Sequence, residues 1–216
     1  MSDTTILKTG LTLAIIAAIC TALVAFTYQL TAGRIEANQQ AWLERSLQPA
    51  LSGLFYDSGV TESKVIIAPP HDLPGTEAAI IYRVYAKDEP VAALFVVSAR
   101  DGYSGPIRIL VGVDIEGFVT GVHVLEHRET PGLGDRVEST KSDWVEQFKG
   151  RSLADPQAAG WAIKRDGGQF DQLTGASVTP RAIIKAIKHT LLYYDANRDE
   201  IFSDAPAESD TQENGP

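Results

Sequence analysis

Three hydroxyl side chains stand close together in the stretch "DQLTGASVTPRA", residues 171–182. Thr179 followed by Pro180 predicts the N-cap and the first residue of a helix. Thr174 is placed to close a turn before the Gly-Ala step. Ser177 is then left without a structural duty, so its hydroxyl is free for chemistry.

Two interpretations of this stretch stay open. A short loop of small residues that runs into a helix favours a phosphate, because the free N–H groups and the positive end of the helix dipole face it. Arg181, in the first turn, would add a charge-assisted contact. The alternative is a capped turn with a spare surface serine, and spacing alone favours this alternative.

A second stretch, "ETPGLG" at 129–134, combines proline and glycine in a way that predicts a tight loop. The backbone of such a loop can approach a planar ligand closely, although taken alone the pattern is more typical of a plain turn. His127 and Glu129 have side chains that bind metals, but no third ligand follows at a suitable spacing, so we predict no metal site. The stretch "DGYSGPI" at 101–107 is either a ligand-facing loop or a turn between strands.

Composition narrows the function classes. The 216 residues carry a formal net charge of -9, which argues against a nucleic-acid partner because phosphate backbones require a basic surface. Much of this charge is local, with seven acidic residues against Arg198 alone from position 195 onward. Cys20 is the single cysteine, which excludes a disulfide within the chain and a site with several thiolate ligands.

An uncharged run of 25 residues, 9–33, lies between Lys8 and Arg34. It exceeds the roughly 20 residues that a helix needs to cross a bilayer. A cleaved signal peptide has a shorter core, and Leu30 two residues before Ala32 does not suit its cleavage site. We therefore predict an uncleaved membrane anchor, with a weak charge bias toward a cytoplasmic N-terminus and an exported body.

The elements that must position these residues belong to an α+β domain. Runs rich in β-branched and aromatic residues predict an antiparallel sheet, with a turn at Glu116-Gly117: "SKVIIAPP", "AAIIYRVYAK", "EPVAALFVVSA" and "IRILVGVDIEGFVTGVHVLEH". Flanking helices are predicted in "SDWVEQFKG", with Ser142 as N-cap, and from Thr179 onward. The second helix has an apolar stripe: Ile183, Ile184, Ile187 and Leu191.

The stretch "DQLTGASVTP" resembles a flavinylation motif, Asp-x-x-Ser/Thr-Gly-Ala-Ser/Thr-x-Thr, of proteins that carry FMN through a phosphoester bond to a hydroxyl. In such proteins a dedicated flavin transferase attaches the FMN. The stretches "DGYSGPIRILVGVD" and "EHRETPGLGDRVE" resemble the G subunits of Rnf-type ion-translocating electron transport complexes. They are less closely similar to the C subunits of sodium-translocating NADH:quinone reductases.

The resemblance implies a role for each motif residue. Ser177 takes the position of the FMN acceptor, where the family usually has threonine, and Thr179 or Thr174 is the fallback. Loop 129–134 is implied to lie against the isoalloxazine ring. The full set of implied cofactor-binding residues is Asp171, Thr174, Gly175, Ala176, Ser177, Thr179, Arg181, Glu129, Thr130, Gly132, Leu133 and Gly134.

The resemblance also implies a function. The chain is expected to be a single-pass subunit of the bacterial inner membrane, with its globular domain on the periplasmic side. It would carry electrons on covalent FMN for a redox-driven translocase, with no catalytic side chain of its own. The implied partners are the other membrane subunits and a flavin transferase. The rival hypothesis is a non-catalytic, membrane-anchored scaffold or ligand sensor of the same fold, without covalent flavin.

These expectations divide the chain into four parts. Residues 1–33 are the predicted transmembrane anchor and residues 34–60 a helical connector. Residues 61–203 are the predicted FMN-binding domain. Residues 204–216 are the predicted acidic disordered tail, because they are polar and lack the apolar residues that form a core.

Overall fold

The computed structural model describes residues 10–11, 13–28, 46–51, 53–57, 60–61 and 63–203. It divides into two compact units, Met1–Leu43 and Glu44–Pro216. In the first unit, residues 13–28 form a helix, α1. Among the described residues, no helix has both the length and the apolar character needed to cross a membrane. Parts of the predicted anchor and connector, and all of the predicted tail, lie outside the described residues.

The second unit is built on one antiparallel sheet. Its strands follow one another in chain order, and each pairs with the next. Short connections allow this arrangement, because antiparallel neighbours need only a turn between them. The predicted α+β sheet is confirmed, with strands β1 Lys64–Ile67, β2 Ala79–Ala86, β3 Glu89–Ala99, β4 Ile107–Asp114 and β5 Val119–Glu126.

The turn between β4 and β5 is where the sequence predicts it. Asp114 Oδ1 accepts hydrogen bonds from the N–H groups of Glu116 and Phe118, both at 2.9 Å. An aspartate side chain that bonds backbone N–H groups ahead of it is a common way to close a turn. Gly117 has a φ of 89°, in the left-handed region that favours glycine.

A long C-terminal helix, α2 (Val178–Phe202), covers one face of the sheet. Phe95 of β3 contacts Tyr193 and Tyr194 of α2 edge-to-face, with ring centroids 6.5 and 6.1 Å apart. The predicted apolar stripe is buried at every position: Ile183, Ile184, Ile187 and Leu191. This packing holds the N-terminus of α2, where the hydroxyl cluster lies, in a fixed position on the sheet.

The opposite face is covered by a short segment that precedes the sheet. The 3-10 helix Gln48–Leu51 lies over β4 and β5, and Ala50 is fully buried. Gly112 and Gly121, directly paired across β4 and β5, let this backbone approach the sheet. A Cβ atom on Gly121 would lie 2.5 Å from the carbonyl oxygen of Pro49. Both faces of the sheet are therefore covered, which explains the continuous burial of β3 and β4.

We expect Gly121→Ala to destabilise the domain by about 2 kcal/mol or more, because the added methyl collides with backbone that cannot rotate away. Gly117→Ala is the matched comparison, since its Cβ meets no atom within 4 Å. Gly117→Ala should lower the free energy of unfolding by only about 1 kcal/mol, because alanine is strained at a positive φ. Urea unfolding followed by tryptophan fluorescence measures both. If the two variants lost the same free energy of unfolding, segment 48–51 would not be in close contact with the sheet at Gly121.

The stretch "SDWVEQFKG" differs in detail from its prediction. It forms a 3-10 helix, Trp144–Phe148, and its N-cap is Asp143 rather than Ser142. Ser142 Oγ still accepts a hydrogen bond from the Trp144 N–H at 3.2 Å. With fewer than two turns, this segment is stabilised mainly by the burial of Trp144, Val145 and Phe148 rather than by helical hydrogen bonds.

Candidate functional site

The two glycine-containing loops singled out in the sequence meet at one cavity. It lies beside the N-terminus of α2 and has a volume of about 330 Å³. Sites for small molecules and cofactors usually measure about 300–1,000 Å³, so the cavity accommodates a ligand of modest size. Its walls are Tyr103, Glu129, Thr130, Leu133, Gly134, Gly175, Ala176, Ser177, Val178 and Thr179.

The loop before α2 is a tight turn closed by its own backbone. The Ala176 N–H donates to the Leu173 carbonyl at 3.1 Å, and Gly175 has a φ of 83°. A positive φ at the third position of a four-residue turn calls for glycine. A Cβ on Gly175 would also lie 2.9 Å from Leu133 Cδ2. Thr174 occupies the second position of this turn and is exposed.

Ser177, and not Thr179, is the N-cap of α2, so the predicted cap is wrong. Val178 is the first helical residue, and Pro180 is the third rather than the first. Ser177 is partly buried, and its hydroxyl makes no capping hydrogen bond. The hydroxyl instead accepts a hydrogen bond from Arg181 Nη1 at 3.2 Å. The predicted acceptor oxygen therefore lies at the positive end of the helix dipole.

Thr179 has a tertiary partner. Its side chain is fully buried, and its hydroxyl donates to the carboxylate of Glu129, 50 residues earlier in the chain. The other oxygen of Glu129 accepts the backbone N–H of Ser104 at 3.0 Å. Glu129 is itself only 4% exposed. One buried carboxylate thus connects loop 101–105, loop 129–134 and the start of α2.

The loop 129–134 is closed by hydrogen bonds to one backbone carbonyl, that of Thr130. Thr130 O accepts the N–H groups of Leu133 at 3.2 Å and Gly134 at 3.1 Å. Gly134 is buried, and a Cβ there would lie 2.8 Å from Glu129 Oε2. Leu133 is 42% exposed and offers its side chain to the cavity. Gly132 is at the exposed tip of this loop and does not contact the cavity.

A polar network supports this loop from behind. The Glu129 N–H donates to His127 Nδ1 at 3.1 Å, and His127 Nε2 is 2.8 Å from Glu138. Lys141 bridges two carboxylates, at 2.9 Å from Asp135 and 2.6 Å from Glu138. The described residues contain no group of three potential ligands that could hold a metal ion. The hydrogen bond from the Glu129 N–H indicates that His127 positions the loop backbone.

The Lys141 ammonium, together with the Gly132 backbone N–H, holds the pKa of Asp135 below its ordinary value. The same ammonium lowers the pKa of Glu138 and has its own pKa raised. This stabilisation is present above the ordinary carboxylate pKa values and is lost as the pH falls through the lowered ones.

We expect Lys141→Gln to lower the free energy of unfolding at pH ~7, and we expect this loss to shrink as the pH falls below the ordinary carboxylate pKa values and the two carboxylates become protonated. Urea midpoints across the pH range measure this. Lys188→Gln is the control, because the Lys188 ammonium donates to the carbonyl of Ala158 at 2.9 Å instead. An effect of Lys141→Gln that did not depend on pH would contradict the charge pairing.

Four predicted residues lie outside the cavity wall: Gly132, Asp171, Thr174 and Arg181. Asp171 is exposed; its carboxylate pairs with Lys164 at 2.6 Å, and its carbonyl accepts Trp144 Nε1 at 2.6 Å. These contacts hold the segment before the turn against Lys164 and Trp144. Arg181 lies one turn into α2 and pairs with Asp166.

Two residues of the cavity wall, Tyr103 and Val178, were not among the predicted cofactor-binding residues. Tyr103 is 71% exposed at the rim, and Val178 is 39% exposed. The stretch "DGYSGPI" contains the signal for Tyr103, because one interpretation of it is a ligand-facing loop. Nothing in the local sequence marks Val178, which looks like an ordinary helix residue.

The cavity residues fit a flat apolar group that carries a phosphate. Leu133, Val178 and Tyr103 supply exposed apolar surface. The free N–H groups at the start of α2 and the Arg181 guanidinium supply positive potential beside the Ser177 hydroxyl. This combination of an apolar wall and a convergent polar corner is typical of a cofactor site.

Comparison with known proteins agrees with this site. The family described as "RnfG N-terminal region" matches residues 1–49, and the family described as "FMN-binding domain" matches residues 102–192, which include all of the cavity wall. The chain is 42% identical over 198 residues to the G subunit of the ion-translocating oxidoreductase complex of Pseudoalteromonas atlantica, covering 92% of each chain. The corresponding protein of Pseudomonas aeruginosa PAO1 is 43% identical over 205 residues, covering 94% of each.

Among solved structures, the chain is similar to NqrC of Shewanella oneidensis, with a TM-score of 0.43 and 20% identity over 67% of this chain and 74% of that one. The family assignment rests on the sequence relatives, which match nearly end to end at about 40% identity. The chain belongs to the family of G subunits of ion-translocating oxidoreductase complexes.

Proposed function

We propose that this chain is an electron-carrying subunit of a membrane-bound, ion-translocating oxidoreductase, and that its FMN is esterified through phosphate to Ser177. The observation that supports this most directly is the meeting of loops 129–134 and 174–177 at one cavity, with the Ser177 hydroxyl on its wall. When bound, FMN supplies the redox chemistry, and the protein binds and orients it.

Different residues at the cavity would bind different parts of the FMN. Ser177 supplies the acceptor oxygen, and Arg181 provides the positive charge next to it. Leu133 and Val178 offer apolar contact to a flat ring. Glu129 holds the loops together from a buried position and does not act as an acid or base toward a substrate.

The proposal includes attachment to the bacterial inner membrane by the uncharged run 9–33, with the body in the periplasm. That run is long enough to span a bilayer. A covalent cofactor suits an exported domain, because it cannot diffuse away between reduction cycles. Other membrane subunits would supply the electron donor and the ion path, and a flavin transferase would attach the FMN.

Mass spectrometry of the full chain, purified from its native host, tests the proposal. The intact mass should exceed that of the polypeptide by FMN less one water, and flavin fluorescence should stay with the denatured chain. Trypsin should release residues 166–181 as one peptide that contains Thr174, Ser177 and Thr179, and fragmentation should place the adduct on Ser177. An unmodified chain would favour the scaffold hypothesis.

Protease treatment of spheroplasts tests the location. The globular domain should remain with the membrane after a high-salt wash and should be digested from the outside. Protection of the body from external protease would place it in the cytoplasm and would contradict this part of the proposal.

A further inference from the structure

Arg181 is held in one orientation by an aspartate that the flavinylation motif does not include. Its Nε donates to Asp166 Oδ2 at 2.6 Å and its Nη2 donates to Oδ1 at 2.8 Å. Two parallel hydrogen bonds of this kind fix the plane of a guanidinium group, which a single contact does not. Asp166 ends the 3-10 helix Lys164–Asp166, five residues before the acidic residue of the motif, Asp171.

The third nitrogen of Arg181 faces the proposed acceptor. Nη1 donates to Ser177 Oγ at 3.2 Å. A guanidinium has five N–H donors. The contacts with Asp166 and Ser177 use three of them, so one N–H on Nη1 and one on Nη2 have no partner within the described part of the chain. Donors that remain on two nitrogens of one guanidinium can bind oxygens of a phosphate.

The position of Arg181 is electrostatically unusual. It lies in the first turn of α2, where the helix dipole is positive and a cation is disfavoured. The Asp166 carboxylate compensates for this, and the Arg181 guanidinium in turn lowers the pKa of that carboxyl. The Arg181 guanidinium thus lies at the N-terminus of α2, beside the Ser177 hydroxyl, and has N–H groups left to donate. This arrangement favours the binding of an anion.

Asp166 is not one of the residues that line the cavity, and its carboxylate accepts two hydrogen bonds from Arg181, so we expect it to act on the site through Arg181. Both side chains are partly exposed, at 36% for Asp166 and 43% for Arg181. A long arginine on an exposed helix surface otherwise samples many rotamers. The two-point contact removes this freedom and keeps the guanidinium within reach of Ser177 Oγ.

We propose that Asp166 is a positioning residue for flavin attachment: it holds the Arg181 guanidinium against Ser177 Oγ, where Arg181 binds the flavin phosphate as the ester forms. This inference rests on the proposed function, with Ser177 as the acceptor. Attachment joins Ser177 Oγ to the phosphorus of a riboflavin phosphate that is activated as an anhydride. The anhydride P–O bond breaks, and the hydroxyl proton is transferred through the transferase base to the released phosphate group.

The test follows attachment over time in the full chain, produced together with its flavin transferase. Intact-mass spectra give the modified fraction at early times. We expect Asp166→Asn to slow attachment about fivefold, as for the loss of one partly exposed charge pair, and Asp166→Glu to restore most of the rate. Lys185→Gln is the matched control, since Lys185 lies one turn further along α2 and pairs with Asp101 at 2.7 Å. It should behave as wild type.

A double-variant cycle separates positioning from a general structural effect. If Asp166 acts through Arg181, then Asp166→Asn combined with Arg181→Gln should attach FMN no more slowly than Arg181→Gln alone. In the modified fraction, the ³¹P resonance of the phosphoester should shift in Asp166→Asn and stay unchanged in Lys185→Gln.

Three results would overturn the inference while leaving the proposed function in place: a wild-type rate in Asp166→Asn, additive losses in the double variant, or an unshifted ³¹P resonance. Absence of an adduct on Ser177 in the wild-type chain would instead refute the proposed function, and this inference with it.

Discussion

Ser177→Ala is expected to abolish covalent FMN completely, because no other hydroxyl occupies the same position. Ser177 is partly buried on the cavity wall, with its oxygen 3.2 Å from Arg181 Nη1. Removal of this oxygen leaves no atom there to form the phosphoester bond. Intact-mass spectra of the variant, produced with the flavin transferase, should show only the unmodified polypeptide.

The two neighbouring hydroxyls provide the controls. Thr174 is exposed on the turn and does not contact the cavity, so Thr174→Ala should retain the adduct. Thr179 is fully buried and donates its hydroxyl to Glu129, so it is not available for esterification. Ser177→Thr should also retain the adduct, because threonine offers the same oxygen. If Ser177→Ala kept covalent flavin, the acceptor would be another residue and the assignment would be wrong.

Glu129→Ala is expected to have the largest effect on stability among the site residues, about 4 kcal/mol. The substitution removes a buried carboxylate that accepts two hydrogen bonds, from the Ser104 N–H and the Thr179 hydroxyl. Hydrogen bonds to a charged group contribute about 1.5–3 kcal/mol each, and the donors left behind remain buried without a partner. The urea midpoint should fall strongly, and loops 101–105 and 129–134 should become susceptible to protease.

More conservative variants distinguish hydrogen bonding from charge. Glu129→Gln can still accept the Ser104 N–H, and its amide can donate to the Thr179 oxygen, so it should cost only about 1 kcal/mol. Thr179→Val removes a single donor and should cost about 2 kcal/mol. If Glu129→Gln were as damaging as Glu129→Ala, the negative charge of the carboxylate, and not its hydrogen-bond geometry, would be what stabilises the three segments.

Local patterns in the sequence were sufficient to predict the antiparallel sheet and the long C-terminal helix. The runs of β-branched and aromatic residues, the Glu116-Gly117 turn and the stripe of Ile183, Ile184 and Ile187 each depend on neighbours within a few residues. The geometry of a strand, a turn or a helix is set over that same distance, so these predictions agree with the structure. The resemblance of "DQLTGASVTP" likewise depends on a contiguous motif.

The contacts that build the site were beyond the reach of local patterns. Thr179 followed by Pro180 satisfies the rule for an N-cap, yet a carboxylate 50 residues away binds its hydroxyl and leaves Ser177 at the cap. Asp166 lies outside the motif, and its proposed role depends on the ion pair with Arg181, which the packing of α2 brings beside it.

The covering of the second sheet face by segment 48–51 is a further long-range contact. The sequence by itself determined which elements form, because hydrophobic periodicity and turn chemistry act between near neighbours. The tertiary structure alone decided which hydroxyl faces the cavity and which carboxylate holds each loop, because such pairs are selected by three-dimensional packing between residues far apart in the chain.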